Sequence, residues 1–121
     1  MKKLNVVYND NYDIPLPEGH RFVGTKFSDL HSFIKNSNLY TNLTIHQSKS
    51  ASINDVQVVH NRDYVMNVKE GNLSRDQERR INLPWSDKLA KRSFLAIQGT
   101  LQTSQLALDY GIACHLAGGT H

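Results

Sequence analysis

The sequence predicts an α/β domain built on a parallel sheet, and three observations predict it. Short apolar or β-branched runs at Leu4–Tyr8, Leu43–His46 and Ile112–Ala117 alternate with longer segments of helical period. The last helical segment, about Asp87 to Tyr110, closes on Gly111 and passes at once into the third run. That is the αβ half of a βαβ crossover. The third run, Ile112-Ala113-Cys114-His115-Leu116-Ala117, is almost uninterruptedly apolar, as a strand covered on both faces should be.

Each element has a local reason. Asn9-Asp10-Asn11 stops the first strand, and Pro15 and Pro17 hold an extended loop as far as Glu18-Gly19-His20. Phe22, Phe27, Leu30, Phe33 and Ile34 recur at helical spacing, which predicts a helix over Arg21–Asn36 with a weak first turn at Gly24. Leu43-Thr44-Ile45-His46 alternates as a strand, and Gln47–Ser50 is a loop. Ser52 caps a short helix, with Asp55 three residues on. His60–Val68 is a helix closed by Gly71. Ser74 begins another, and Pro84 ends that stretch.

The long helix has Ser86 as N-cap, Asp87 at its positive end and Gly111 past its last turn. Ala90, Phe94, Ile97, Leu101, Ser104 and Leu108 share one face, and Ser93, Ala96, Thr100 and Ala107 form a small-residue flank. Leu95, Gly99 and Leu106 lie opposite, so the polar sector is narrow. A helix of this kind expects neighbours on several sides. A central parallel strand also needs a partner on each side, and only two or three strands are legible. Residues 1–121 therefore read as a single incomplete domain, part of a larger host.

Composition narrows the classes. The chain has 121 residues, 39% hydrophobic and 21% charged, which fits one globular domain. Its net charge is +3, but the densest basic groups are broken by acids or apolar residues. These are Arg75-Asp76-Gln77-Glu78-Arg79-Arg80 and Lys88-Leu89-Ala90-Lys91-Arg92. They read as solvated faces, and a nucleic-acid partner is not expected. The one cysteine, Cys114, rules out an internal disulfide and is expected to be a buried, inert thiol in a reducing compartment. No hydrophobic run follows Met1-Lys2-Lys3, and no stretch approaches the roughly 20 apolar residues of a membrane span. A cytoplasmic protein with no membrane partner is expected.

Six histidines are present, none in a tight zinc-ligand spacing, and a single cysteine excludes the zinc-finger types. His31 reads as a core or boundary residue, His46 as structural or exposed, and His115 as a buried hydrogen-bonding residue. His121 differs. It follows Gly118 and Gly119 at the carboxyl end of a strand, where glycine lets the backbone turn and a ligand approach. An acid/base role suits an imidazole presented there. In open α/β sheets ligands sit beyond the carboxyl ends of the strands, so the chain is expected to end as it enters a site.

Several segments together resemble the zinc-dependent histone deacetylase superfamily, most nearly its bacterial and class IV-like branch. They are Val7-Tyr8 with Pro17-Glu18-Gly19-His20-Arg21-Phe22, then Val59-His60-Asn61-Arg62-Asp63-Tyr64-Val65. Glu78-Arg79-Arg80-Ile81-Asn82-Leu83-Pro84-Trp85-Ser86, Gly99-Thr100 and Leu116-Ala117-Gly118-Gly119-Thr120-His121 follow in family order.

The resemblance implies the amino-terminal portion of an arginase/deacetylase-like three-layer α/β/α fold with a parallel sheet. It implies hydrolysis of N-acetyl-lysine or a similar acyl amide, with zinc polarising the carbonyl and activating water. Protein lysine, polyamine and small-molecule substrates all occur in that superfamily. His121 matches the first histidine of the Gly-Gly-x-His-His pair, the electrostatic partner in most schemes. Arg21 matches an arginine that lines an internal channel below the metal, with a structural charge at a helix start as the alternative. His60 and Asp63 match a scaffold motif, and Pro84 and Trp85 shape the substrate side or pack beneath it. The family's second histidine, its carboxylate and histidine metal ligands and its late tyrosine have no counterpart in these residues. The 121-residue chain alone is therefore expected to be inactive and to bind no catalytic zinc. The competing reading is a non-catalytic module that docks to another chain through its unpaired sheet edge, or self-associates through exposed apolar surface.

Overall fold

A computed structural model describes residues 2–117. It is a mixed α/β structure around a three-stranded parallel sheet. Strand β1 (Leu4–Tyr8) leads through helix α1 (Lys26–Lys35) and a 3-10 turn (Tyr40–Asn42) to β2 (Leu43–Gln47). Helices α2 (Ile53–Val56), α3 (Arg62–Glu70), α4 (Arg75–Ile81) and α5 (Asp87–Tyr110) then precede β3 (Ala113–His115). The spatial order is β2-β1-β3. Val6 lies opposite Ile45 on one side and Cys114 on the other.

Val6, Val7 and Tyr8 are each at most 2% exposed. Consecutive strand residues point to opposite faces, so both faces of β1 are covered. Helix α5 packs across β1 and β3, with α3 against its first half. The main core joins Tyr8, Tyr12, Ile14 and Phe27 to Leu83, Leu89, Leu95 and Ala96. A smaller cluster, Ala51, Val56, Val65 and Phe94, lies under α2 and α3.

The caps follow the sequence closely. The hydroxyls of Ser52, Ser74 and Ser86 accept from the third amide beyond them, and Ser74 forms a full capping box with Gln77. Gly71 takes the left-handed conformation that ends α3.

Three expectations are corrected. The first helix begins at Lys26 rather than Arg21. The Ile14 amide donates to the Gly24 carbonyl at 3.0 Å, and a Cβ at Gly24 would overlap the Ile14 carbonyl. Residues 21–25 are thus tied to the preceding loop. The amide of Ser28 in the first turn donates to Asp13, fifteen residues upstream, at 3.0 Å. Arg21 therefore does not sit at a helix start, and the reading of it as a structural charge there fails.

The last strand is shorter than predicted, and Cys114 is exposed rather than buried. Helix α5 covers the face of β3 that carries His115, and Cys114 points the other way. The predicted apolar face of α5 is covered only in its first half. Ala90 and Phe94 are buried, but Leu101 is 50% exposed and Leu108 82%.

Among the described residues no helix is long and apolar enough to cross a membrane.

Candidate functional site at the carboxyl edge of the sheet

The three strands run in parallel, so their carboxyl ends lie together. There Asn9 follows β1, Ser48 follows β2 and His115 closes β3, while Tyr12 comes from the loop after β1. These residues form one hydrogen-bonded cluster. Asn9 Nδ2 donates to the Ser48 carbonyl at 3.0 Å, and the Tyr12 hydroxyl donates to Ser48 Oγ at 2.8 Å. Tyr12 also shares a 2.7 Å bond with His115 Nε2, and His115 Nδ1 shares one of 3.3 Å with the Thr100 hydroxyl. The single phenol proton goes to Ser48, so Nε2–H donates to Tyr12 and Nδ1 is the unprotonated nitrogen, facing the Thr100 hydroxyl whose proton also reaches the Ala96 carbonyl at 3.3 Å. A neutral imidazole meets both demands.

Helix α5 makes room for this cluster. Arg92, Ala96 and Gly99 fall on the face turned towards Tyr12. A Cβ on Gly99 would overlap both Tyr12 Oη and His115 Nε2, so only glycine fits there. Arg92 is 6% exposed; its Nε donates to the Tyr12 carbonyl at 3.0 Å and its guanidinium lies 4.6 Å from the Phe27 ring centroid. The expectation that Lys88–Arg92 is a solvated face therefore fails at Arg92, because the small side chains beside it let the sheet edge come close.

Burial sets the electrostatics. It pushes His115 down from 6.5 to about 4, helped by the charge of Arg92. Burial also pushes Tyr12 up, against the Ser48 hydrogen bond and Arg92, which favour the phenolate. The cluster thus holds a neutral imidazole and a neutral phenol beside a buried cation.

The residues singled out in the sequence are spread differently. Arg21 is exposed in the bend before α1 and lines an open groove with His20 and Phe22. The buried arginine of the carboxyl edge is Arg92. His121 lies outside the described residues. His31 stacks on Tyr8 with centroids 4.1 Å apart, and His46 Nε2 bonds to Asn5 Oδ1 at 2.9 Å. His115 is the hydrogen-bonding residue expected of it. Asp63 lies in the first turn of α3, where its amide donates to the capping Asn61 Oδ1 at 2.8 Å, and the ring of His60 lies 5.8 Å from that of Tyr64. Trp85 is half-buried; its indole donates to the Val68 carbonyl at 2.7 Å and its ring lies over Gly71. Sequence reasoning missed Tyr12, Ser48 and Arg92. The one available signal was an arginine spaced four and seven residues before Ala96 and Gly99. Among the described residues no three His, Cys, Asp or Glu side chains converge to hold a metal ion.

No family model matches the chain. An uncharacterized protein of a Picosynechococcus strain is 40% identical over 116 residues. The match covers 96% of this chain and 39% of that relative, so the chain spans well under half the length of the curated relative it matches.

Proposed function

We propose that the chain is the amino-terminal part of a metal-dependent acyl-amide hydrolase domain, cytoplasmic and of arginase/deacetylase-like α/β/α fold. One observation carries the reading. Strand β3 runs parallel beside β1 and ends at the carboxyl edge of the sheet, where open α/β sheets place their ligands, and Gly118-Gly119-Thr120-His121 follows it closely in the sequence. The hydrogen-bonded cluster of Tyr12, His115 and Arg92 braces the carboxyl end of β3.

In this reading His121 is the first histidine of a catalytic pair and stabilises charge beside the reacting water. Residues outside the described ones would hold a zinc ion, whose chemistry there would be polarisation of the acyl carbonyl and a lowered pKa of bound water. The described residues do not fit a metal cage. We assign the cage to the larger part of the relative's length that this chain does not span. The chain by itself is then inactive.

The test sets the 121-residue chain beside the full Picosynechococcus relative, each with added zinc, on acetyl-lysine peptides and acetylated polyamines. The expected result is amide hydrolysis by the relative, abolished by a chelator, and none by the chain. Turnover by the chain, or none by the metal-loaded relative, overturns the reading. The competing docking reading draws on Leu108, Tyr110 and Ile112, each at least 66% exposed along the end of α5 and the link to β3. Size-exclusion chromatography with light scattering separates the two, since a docking module of this kind self-associates or binds apolar dye.

A further inference from the structure

The topology puts a second feature at the same end of the sheet. The loop after β1 leaves from the carboxyl edge. Helix α5 runs back towards the amino end before entering the parallel strand β3, so the link before α5 also lies at the carboxyl edge. Between these two segments is an open groove of about 480 Å³, beside a second space of about 310 Å³. His20, Asn82 and Leu83 line both.

The walls are held by residues whose conformations are fixed. His20 ends a turn closed by its amide on the Pro17 carbonyl at 3.2 Å, with Gly19 at φ +80. Nδ1 of His20 accepts from the Phe22 amide at 3.1 Å, so Nε2 carries the proton and donates to the Asn82 carbonyl at 3.2 Å. Asn82 in turn caps α4 in the left-handed conformation. One imidazole thus ties the two walls together.

The groove has a charged rim on an apolar floor. Phe22, Ile81, Leu83 and Pro84 supply apolar surface. Arg21, Arg75 and Arg79 stand around it against one carboxylate, Glu78. Arg79 is partnered by Asp76 at 3.3 Å, whereas Arg21 and Arg75 make no ion pair among the described residues. Lys26 Nζ sits 4.4 Å from the centroid of the Phe22 ring and adds a further cation at this edge. Two unpaired guanidiniums over apolar surface complement carboxylates on a peptide, with side-chain stems for the floor. A nucleic-acid strand fits less well, because Asp76 and Glu78 alternate with the arginines where phosphates would run.

We propose that this groove binds an acidic peptide segment and selects substrates by it. In the hydrolase reading, on which this last clause rests, the acidic residues flank the acyl-lysine. The experiment uses the 121-residue chain and needs no catalysis. Fluorescence anisotropy follows a labelled acetyl-lysine peptide flanked by Asp and Glu, and its twin with Asn and Gln. The acidic peptide is expected to bind at least about fivefold more tightly at low salt, with the preference fading as salt screens the charges. The double variant Arg21→Gln, Arg75→Gln is expected to weaken the acidic peptide about tenfold and leave the twin unchanged, as two exposed charge pairs allow. Both positions are exposed, and an unchanged melting temperature confirms the fold. Equal affinity for the twins, an unaffected double variant, or tighter binding of an oligothymidylate overturns the proposal. Acid preference with an inactive relative refutes the hydrolase reading alone, and an active relative with no preference refutes this inference alone.

Discussion

His115 offers the sharpest quantitative test of the carboxyl-edge cluster. In the folded chain burial and Arg92 hold it at about 4, against 6.5 when free. The unfolded chain therefore takes the proton first as pH falls. The stability contributed by the neutral imidazole is complete above about 6.5, declines between 6.5 and 4, and is gone below that. Each pKa unit corresponds to about 1.36 kcal/mol, so the ceiling over this window is about 3 kcal/mol. His115 is only half-buried, and solvent screening reduces the expected loss to about 2 kcal/mol. The variant His115→Gln keeps an amide to meet Tyr12 but cannot titrate. Urea denaturation followed by circular dichroism at pH 7, 5.5 and 4.5 gives the stability of both proteins. Carboxylates and the other histidines titrate alike in each and cancel in the difference. The wild-type advantage is expected to shrink by about 2 kcal/mol from pH 7 to 4.5. A difference that stays constant across that range refutes the assignment of a neutral His115 with a lowered pKa.

Three further outcomes follow from the same packing. Gly99→Ala gains about 1 kcal/mol of helix propensity but drives a methyl into Tyr12 and His115, for a net loss of about 2 kcal/mol in urea midpoint analysis. An unchanged or raised midpoint contradicts the contact. Arg92→Met removes a donor from the Tyr12 carbonyl at a cost of about 2 kcal/mol, and NMR titration is expected to show His115 moving up towards its ordinary value. A midpoint that does not rise speaks against the coupling. Cys114, exposed on the uncovered face of β3, is expected to react with a thiol reagent in the native protein as fast as in urea. Protection that disappears only on unfolding indicates that this face is covered in solution.

Local patterns carried most of the elements. Serine caps at 52, 74 and 86, the glycine stops at 71 and 111, and the helical period of 87–110 depend on residues within a turn of one another. The parallel αβ step into β3 was legible for the same reason. The candidate site was far less so. Tyr12 meets Ser48 36 residues away, Arg92 80 away and His115 103 away. No window of sequence holds two of these partners together, and an arginine between apolar residues reads as a surface charge until the sheet edge is brought to it.

Strand and helix identity, the order of elements and the Gly118–His121 motif after β3 were therefore set by near neighbours along the chain. The tertiary structure decided where α1 begins, because Ile14 holds Gly24 before it and Asp13 holds Ser28 in its first turn. It also turned Cys114 outward, buried Arg92, and joined His20 to Asn82 across the groove. Each of these depends on which distant segment occupies the space beside a residue, and only the packed chain supplies that.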